Sequence, residues 1–353
     1  MFRHIIYDLL LPLLSLEAHT QISFRPTALS LVDIAIVIIL WVLRSAFQTI
    51  TQLLGLRSIN ADTDGSLKAP NLTLSMPLQL SKSHVDRYCK AIDSGSPHDV
   101  EMNNSQLLLF LSSISEPAML LLLAKRGCPI RPLGSVNVRN RFELLRTDGK
   151  PAPLLQADNA VITASLHSLP RTVKRGLEYD VETTLTLPDP QTGEHIPVFR
   201  QVFTLLQFMK VKQVAKRAGE LKMVEHSSYA KMPVKLTFEE PSNWAAISKD
   251  YNPIHIFALA ARGYGFPGKI AHGNHVLAKS LHTLGSKSRD SAKVLLKMNM
   301  PIWMEVKFTR PMTVPADLEL RVLQSTEEES VARFEVSQRD KVCIEGTLGV
   351  LEA

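Results

Sequence analysis

The residues best equipped for chemistry lie in the stretch SKDYNPIHIFALAARGYGFPGKIAHG, residues 248–273. Asp250 and His255 stand five positions apart with Pro253 between them, and a second histidine follows in His272-Gly273. Water is a poor nucleophile, so a base must take its proton as a new bond forms. A carboxylate and an imidazole that converge on one water both aim it and move its protons. Pro253 fixes one φ angle, and Asn252 hydrogen-bonds the backbone of its own turn. Together they let Asp250 and His255 point into one pocket. Gly273 precedes an apolar helical pattern. An N–H at a helix amino terminus has no intrahelical partner and favours negative charge, which suits a developing anionic oxygen. A glycine there also admits a close approach.

Each of these residues has a plainer reading when taken singly. Asp250 and Asn252 alone describe an Asx turn before a helix. His255 alone is a core histidine. His272 is either a locally bonded helix-start residue or a substrate contact. Asn274 and His275 either line a channel or face solvent. Arg262, Lys269 and Lys279 are candidates for binding phosphates, against the alternative of a solvated charged face. It is the order of the whole set that favours catalysis. Cys89, Cys128 and Cys343 show neither a CxxC pair nor zinc spacing, so they read as reduced structural thiols and no metal is expected.

The elements that must position this set read as two unequal copies of one pattern. In the clearer copy, VKLTF (234–238) alternates like a strand. HGNHVLAKSLHTLG (272–285) has helical spacing, with Gly285 as its stop. Four strand-like runs follow, at 303–311, 316–325, 330–338 and 341–352. The fainter copy has a strand at 71–80, a very apolar helical region at 105–125 interrupted by Pro117, and strand-like runs at 134–146, 159–169, 177–187 and 197–209. A helix apolar on all sides belongs inside something, and a long antiparallel sheet wrapped around it would bury it. The expected fold is therefore α+β with two tandem units: residues 70–210, a basic connector at 211–231, and residues 232–353.

Residues 1–60 are a hydrophobic extension. The run from Ala28 to Leu43 is apolar except for Ser30 and Asp33, slightly short for a span of roughly 17–25 residues. Three readings compete: a membrane anchor, a helix lying on a membrane or on the protein, and a mispredicted start. All three place this extension outside the chemistry. Residues 59–71 read as a linker. The formal net charge of +6 comes from scattered Lys and Arg. That excludes a nucleic-acid-binding pattern but suits phosphate-bearing ligands or anionic headgroups.

The run SKDYNPIH followed by AHG resembles the signature of the MaoC-like (R)-specific enoyl-thioester hydratases, the hydratase 2 family, which have the hot-dog fold. Ser248, Asp250, Asn252, Pro253, Ile254, His255, Ala260, Ala271, His272 and Gly273 match the pattern. Lys249 replaces a small residue, and Asn274-His275 replace apolar ones. Arg310 before Pro311 matches a common family feature, with a structural ion pair as its plainer reading. The resemblance covers about residues 232–353. The first copy is similar to the degenerate half of double hot-dog members and carries only SGSPHD (94–99).

The resemblance implies a tandem hot-dog that hydrates trans-2-enoyl thioesters to (R)-3-hydroxyacyl thioesters or catalyses the reverse. Asp250 and His255 would act on water, and Gly273 would hold the thioester oxygen. Ser248, Asn252, His272 and Asn274 would orient the site, while Arg262 and Lys269 would meet the carrier phosphates. No cofactor is implied beyond coenzyme A or an acyl carrier protein as acyl carrier. A medium or long acyl chain is expected, with a monomer or homodimer in the cytoplasm, membrane-associated through residues 28–43. The alternatives are a 3-hydroxyacyl-[acyl carrier protein] dehydratase and a non-catalytic acyl-thioester binding protein.

Overall fold

The computed structural model describes residues 3–54, 71–92, 102–145, 159–189, 191–209, 228–287, 301–323 and 331–351. Most of the expected linker at 59–71 and of the connector at 211–231, and the whole of segment 94–99, lie outside these; Ser228 to Lys231 of the connector already form strand. The chain opens with helix α1 (His4–Leu14), strand β1 (His19–Gln21) and helix α2 (Leu31–Leu53).

The first repeat comprises β2 (Leu72–Leu78), α3 (Lys82–Ile92), α4 (Asn104–Ala124), β3 (Ser135–Leu144), β4 (Ala160–Leu166), the short β5 (Arg171–Val173), β6 (Gly176–Pro188) and β7 (His195–Phe208). The second comprises β8 (Ser228–Leu236), α5 (Glu240–Ser248), α6 (Pro253–Ile256), α7 (Ala258–Gly263), α8 (Gly273–Lys287), β9 (Ile302–Phe308), β10 (Ala316–Leu323), β11 (Val331–Gln338) and β12 (Lys341–Val350).

Described strands join in one sheet of order β1-β2-β4-β6-β7-β3-β9-β12-β11-β10-β8, with β5 on β6. Its first half, β2-β4-β6-β7-β3, and its second half, read backwards as β8-β10-β11-β12-β9, have the same connectivity. This is a duplication. The seam is the pair β3–β9, equivalent strands running antiparallel with Arg141 opposite Glu305. Arg139 and Arg141 each lie 3.8 Å from a Glu305 oxygen, and Arg141 covers the Trp303 ring at 5.0 Å. Every sheet pairing is antiparallel except β1 on β2. The architecture is a double hot-dog with an amino-terminal helical extension, as the sequence implied.

Strand β2 buries alternate residues, as period-2 side chains require. Helix α4 is buried along its whole length, which is why its sequence shows no polar face. It starts at a capping box in which the Asn103 side chain accepts from the Gln106 N–H and the Gln106 side chain accepts from the Asn103 N–H.

Three expectations need correction. Pro117 does not interrupt α4, which runs continuously past it. A proline removes one ladder bond, and the packing around a fully buried helix supplies enough to carry it through. Gly285 does not end α8, which continues to Lys287.

The third is the expectation that the extension stands apart from the working part of the chain: α2 lies on the protein, as one of its three readings had it, and is built into the folded body. Strand β1 lengthens the sheet, and Ile34, Val37 and Trp41 of α2 are buried in the core. The Arg44 guanidinium donates to the carbonyls of Leu123 in the last turn of α4 and of Lys125, Cys128 and Ile130 just beyond it. Those include groups that a helix carboxy terminus leaves unpaired, so a cation there is doubly favoured.

Candidate active site

Helix α5 ends at Lys249, which takes the left-handed conformation with φ 58°. The small residue expected there would adopt this conformation freely, whereas a lysine is held in it by its surroundings. A chain of short turns follows. The Ser248 hydroxyl accepts from the Asp250 N–H at 3.3 Å, the Asp250 carboxylate from the Asn252 N–H at 3.1 Å, and the Asn252 side chain from the Ile254 N–H at 3.4 Å. Ser248 and Asn252 thus build the turn, and Asn252 caps α6, with Pro253 at its first position.

The turn brings Asp250, His255 and His272 together. His255 Nδ1 lies 2.9 Å from the Ile270 carbonyl and therefore donates to it. That tautomer leaves the Nε2 lone pair facing the Asp250 carboxylate at 3.9 Å. Two acceptors at this separation do not bond each other; one water donating a proton to each fits between them. His272 Nε2 donates to the Asp250 backbone carbonyl at 3.0 Å, and its ring stacks on that of His255 with centroids 3.8 Å apart. Burial lowers the His255 pKa, with Asp250 partly opposing it. His272 is pushed well down by burial and then by the His255 ring. Both imidazoles are therefore neutral at neutral pH, and His255 is free to accept a proton.

Gly273 is the first residue of α8, so its N–H has no partner within the helix. A Cβ there would lie 2.4 Å from the Phe308 ring, which explains the glycine sterically. Asp250, Asn252, His255, His272, Gly273 and Asn274 all line a cavity of about 290 Å³ at the junction of the two repeats. Part of its lining is apolar, including Met119, Leu120 and Leu123 of α4 and Trp41 of α2. Arg175 and Arg310 also line it. One ligand atom each from Asp250, His255 and His272 fall within 4.8 Å of one another, a spacing compatible with a cation. One of them, His272 Nε2, is already engaged by the Asp250 carbonyl.

Other residues singled out in the sequence lie elsewhere. Lys269 is 2 % exposed, with its ammonium 4.0 Å above the Phe238 ring, so it is not displayed to a phosphate. Lys279 is buried in an ion pair with Glu240. Arg262 is exposed and does not reach the cavity. Arg310 donates to the Val342 carbonyl rather than pairing with an acid. Asn274 and His275 face inward. Asn274 accepts from the Asn140 side chain at 2.6 Å and contacts the Ser112 hydroxyl at 3.4 Å, tying α8 to β3 and α4. His275 donates to the Ala91 carbonyl at 2.8 Å and stacks on Trp244.

Trp41, Glu116 and Arg175 were missed. Trp41 and Glu116 sit in runs so apolar that they read only as core. Arg175 falls in a turn with no motif around it.

The fold is a double hot-dog with the candidate site at the junction of its two repeats. Residues 221–345 match the family model described as "MaoC like domain". The chain is 23% identical over 287 residues to 3-hydroxyacyl-thioester dehydratase X of Mycobacterium tuberculosis, covering 78% of this chain and 90% of that one. The crystal structure of HtdX from the same organism superposes with a TM-score of 0.57 at 19% identity, covering 79% of this chain and all of that one. A MaoC-like dehydratase from Phytophthora capsici gives a TM-score of 0.56 at 14% identity, covering 79% and 95% of the two chains. At these identities the solved structures establish the fold.

Proposed function

We propose that this protein reversibly hydrates trans-2-enoyl thioesters to (R)-3-hydroxyacyl thioesters, with a medium or long acyl chain carried on coenzyme A. The observation that carries this reading is the Asp250–His255 acceptor pair at 3.9 Å, in one cavity with Gly273, whose N–H has no partner within its helix. Similarity to a relative named as a 3-hydroxyacyl-thioester dehydratase supports the same chemistry. Asp250 and His255 hold the water. As its oxygen bonds to C3, one of them takes a proton, and that proton returns to C2 on the same face. The Gly273 N–H holds the thioester oxygen while negative charge develops there. No electrons change hands, so no redox cofactor is required. Arg175 and Arg310, which line the cavity, are the cations we assign to the carrier phosphates.

The apolar residues in the lining of the cavity support a preference for longer chains. Each buried methylene contributes about 0.8 kcal/mol, so trans-2-decenoyl-CoA should exceed crotonyl-CoA in kcat/KM by at least ~10-fold. Loss of enoyl absorbance measures both, and chiral analysis identifies the (R) product. Equal rates would remove the chain-length reading. Turnover only of carrier-protein substrates would favour the dehydratase of fatty acid synthesis. Binding without turnover would mark a thioester-binding protein.

We further propose that α1 and α2 lie on a bilayer. Helix α2 is one of two described helices long and apolar enough to span a membrane; the other is the buried α4. One face of α2 is spent on the core, which leaves Leu31, Ile39, Leu43, Phe47 and Ile50 more than half exposed, with Tyr7 and Leu16 nearby in the chain. An apolar patch of this kind marks an interaction surface. The full chain should float with anionic liposomes, and replacing Leu43, Phe47 and Ile50 by Ser should release it. A wild-type chain that stays with the soluble fraction as a dimer would assign the patch to self-association instead.

A further inference from the structure

The half without the motif also supplies a polar group to the site. Glu116 is the single ionisable residue within α4. It is 7 % exposed, its Oε2 has no hydrogen-bond partner, and it lines the same cavity as Asp250, His255 and Gly273. The helix geometry explains how it gets there. Ser112 and Glu116 are one turn apart on α4 and so share a face, and Ser112 meets Asn274, the residue after Gly273. The face carrying Glu116 is therefore turned toward the start of α8.

The surrounding charges do not compensate a carboxylate at this point. On the packed elements, Asp180 is paired with Arg171, Glu182 with Arg200, Glu143 with Arg141 and Arg200, and Glu240 with Lys279. Arg44 is taken up by carbonyls and Asp33 by Ser30. His275 donates to Ala91, while His255 and His272 are neutral at the cavity wall. Lining the same cavity as Glu116 are Arg175 and Arg310 at its wall, and the like charge of Asp250. Burial first, and Asp250 second, raise the Glu116 pKa well above the usual carboxylate range. The Trp244 N–H offsets this only slightly, and its geometry falls short of a hydrogen bond.

We propose that the Glu116 carboxyl donates a hydrogen bond to the carbonyl oxygen of the bound thioester, as the second arm of the site that the Gly273 N–H begins. This rests on the hydratase reading above. A carboxylic acid kept neutral in an apolar site is a strong donor to an enolate oxygen. No proton is transferred from Glu116. The O–H bond persists while the C=O bond polarises, C2 is protonated from the Asp250–His255 side, and the carbonyl is restored.

The test compares Glu116→Gln, which keeps a donor, with Glu116→Leu, which does not. Loss of one preorganised donor predicts a kcat about 10²-fold lower for Glu116→Leu, and less than ~10-fold lower for Glu116→Gln. The wild-type rate should fall at high pH as Glu116 ionises, and Glu116→Gln should lack that fall. The infrared C=O band of bound butyryl-CoA, which is saturated and does not react, should shift to lower frequency in wild type and less in Glu116→Leu. Equal C=O bands in wild type and Glu116→Leu would overturn the proposal. So would retention of the high-pH fall in Glu116→Gln, which decides the matter even if Glu116→Leu does not fold. If wild type hydrates no enoyl thioester, the hydratase reading fails, and the butyryl-CoA band still tests Glu116.

Discussion

Asp250→Asn should lower kcat for enoyl-CoA hydration by ~10²–10⁴-fold, the range for a positioned general base. The substitution is nearly isosteric, and its carbonyl can still accept from the Asn252 N–H, as Asp250 does now at 3.1 Å. The turn therefore survives, and with it the position of His255. What changes is the group facing the water: an acceptor becomes an amide that cannot take a proton. His255 Nε2 alone then faces the water, with no anion to stabilise it once protonated. KM should move little, because the Gly273 N–H and the apolar residues in the lining of the cavity are untouched. Steady-state kinetics with unchanged thermal melting would establish this. A loss below ~10-fold would show that Asp250 is not the base. One side effect is diagnostic as well. Since Asp250 is the second cause of the raised Glu116 pKa, any high-pH fall due to Glu116 should move to lower pH in Asp250→Asn.

Lys279→Met should destabilise the folded chain by ~3–5 kcal/mol, a large share of the stability of a domain. Lys279 and Glu240 are 9 % and 7 % exposed and joined at 2.5 Å, between α8 and α5. Removing the ammonium leaves a buried carboxylate whose second oxygen already lacks a hydrogen-bond partner. His275 lies 4.0 Å from that oxygen but spends its proton on Ala91. The double variant Glu240→Gln with Lys279→Met removes both charges and should recover most of the loss, since apolar replacement of a buried pair is often close to neutral. Urea unfolding of wild type, the single variant and the double variant measures this. A single-variant loss under ~1 kcal/mol would mean that water or another cation reaches Glu240.

These two sites also show how far the sequence could be read. Asp250, His255 and Gly273 were legible because a turn motif confines them to one short segment, where sequence spacing determines spatial spacing. The duplicated connectivity was legible because strand alternation survived in the half without the motif. Lys279 was misread because a lysine on a helix looks the same whether it faces solvent or a buried acid. The acid, Glu240, is 39 positions away and has no pattern linking the two. Glu116 and Trp41 reach the cavity only through tertiary packing of different elements. The same holds for the whole extension: hydrophobicity announced an apolar run at 28–43 but neither the helix's continuation to Leu53 nor the Arg44 contacts that fasten it at the end of α4.

The β3–β9 seam has a bearing on how such a chain can change over time. Two hot-dog units related by equivalent strands would, as separate chains, be copies of one gene product, and any substitution would appear twice. Covalent linkage makes the pairing intramolecular, at an effective concentration no free partner matches. Each unit then mutates alone. One has kept the water-holding turn. The other lacks it, has a Leu-rich central helix, and sets a single carboxyl and apolar side chains of that helix against the cavity. Asymmetry of this kind is open to a tandem chain and closed to a symmetric dimer, in which a residue suited to one side of the seam must also be tolerated on the other.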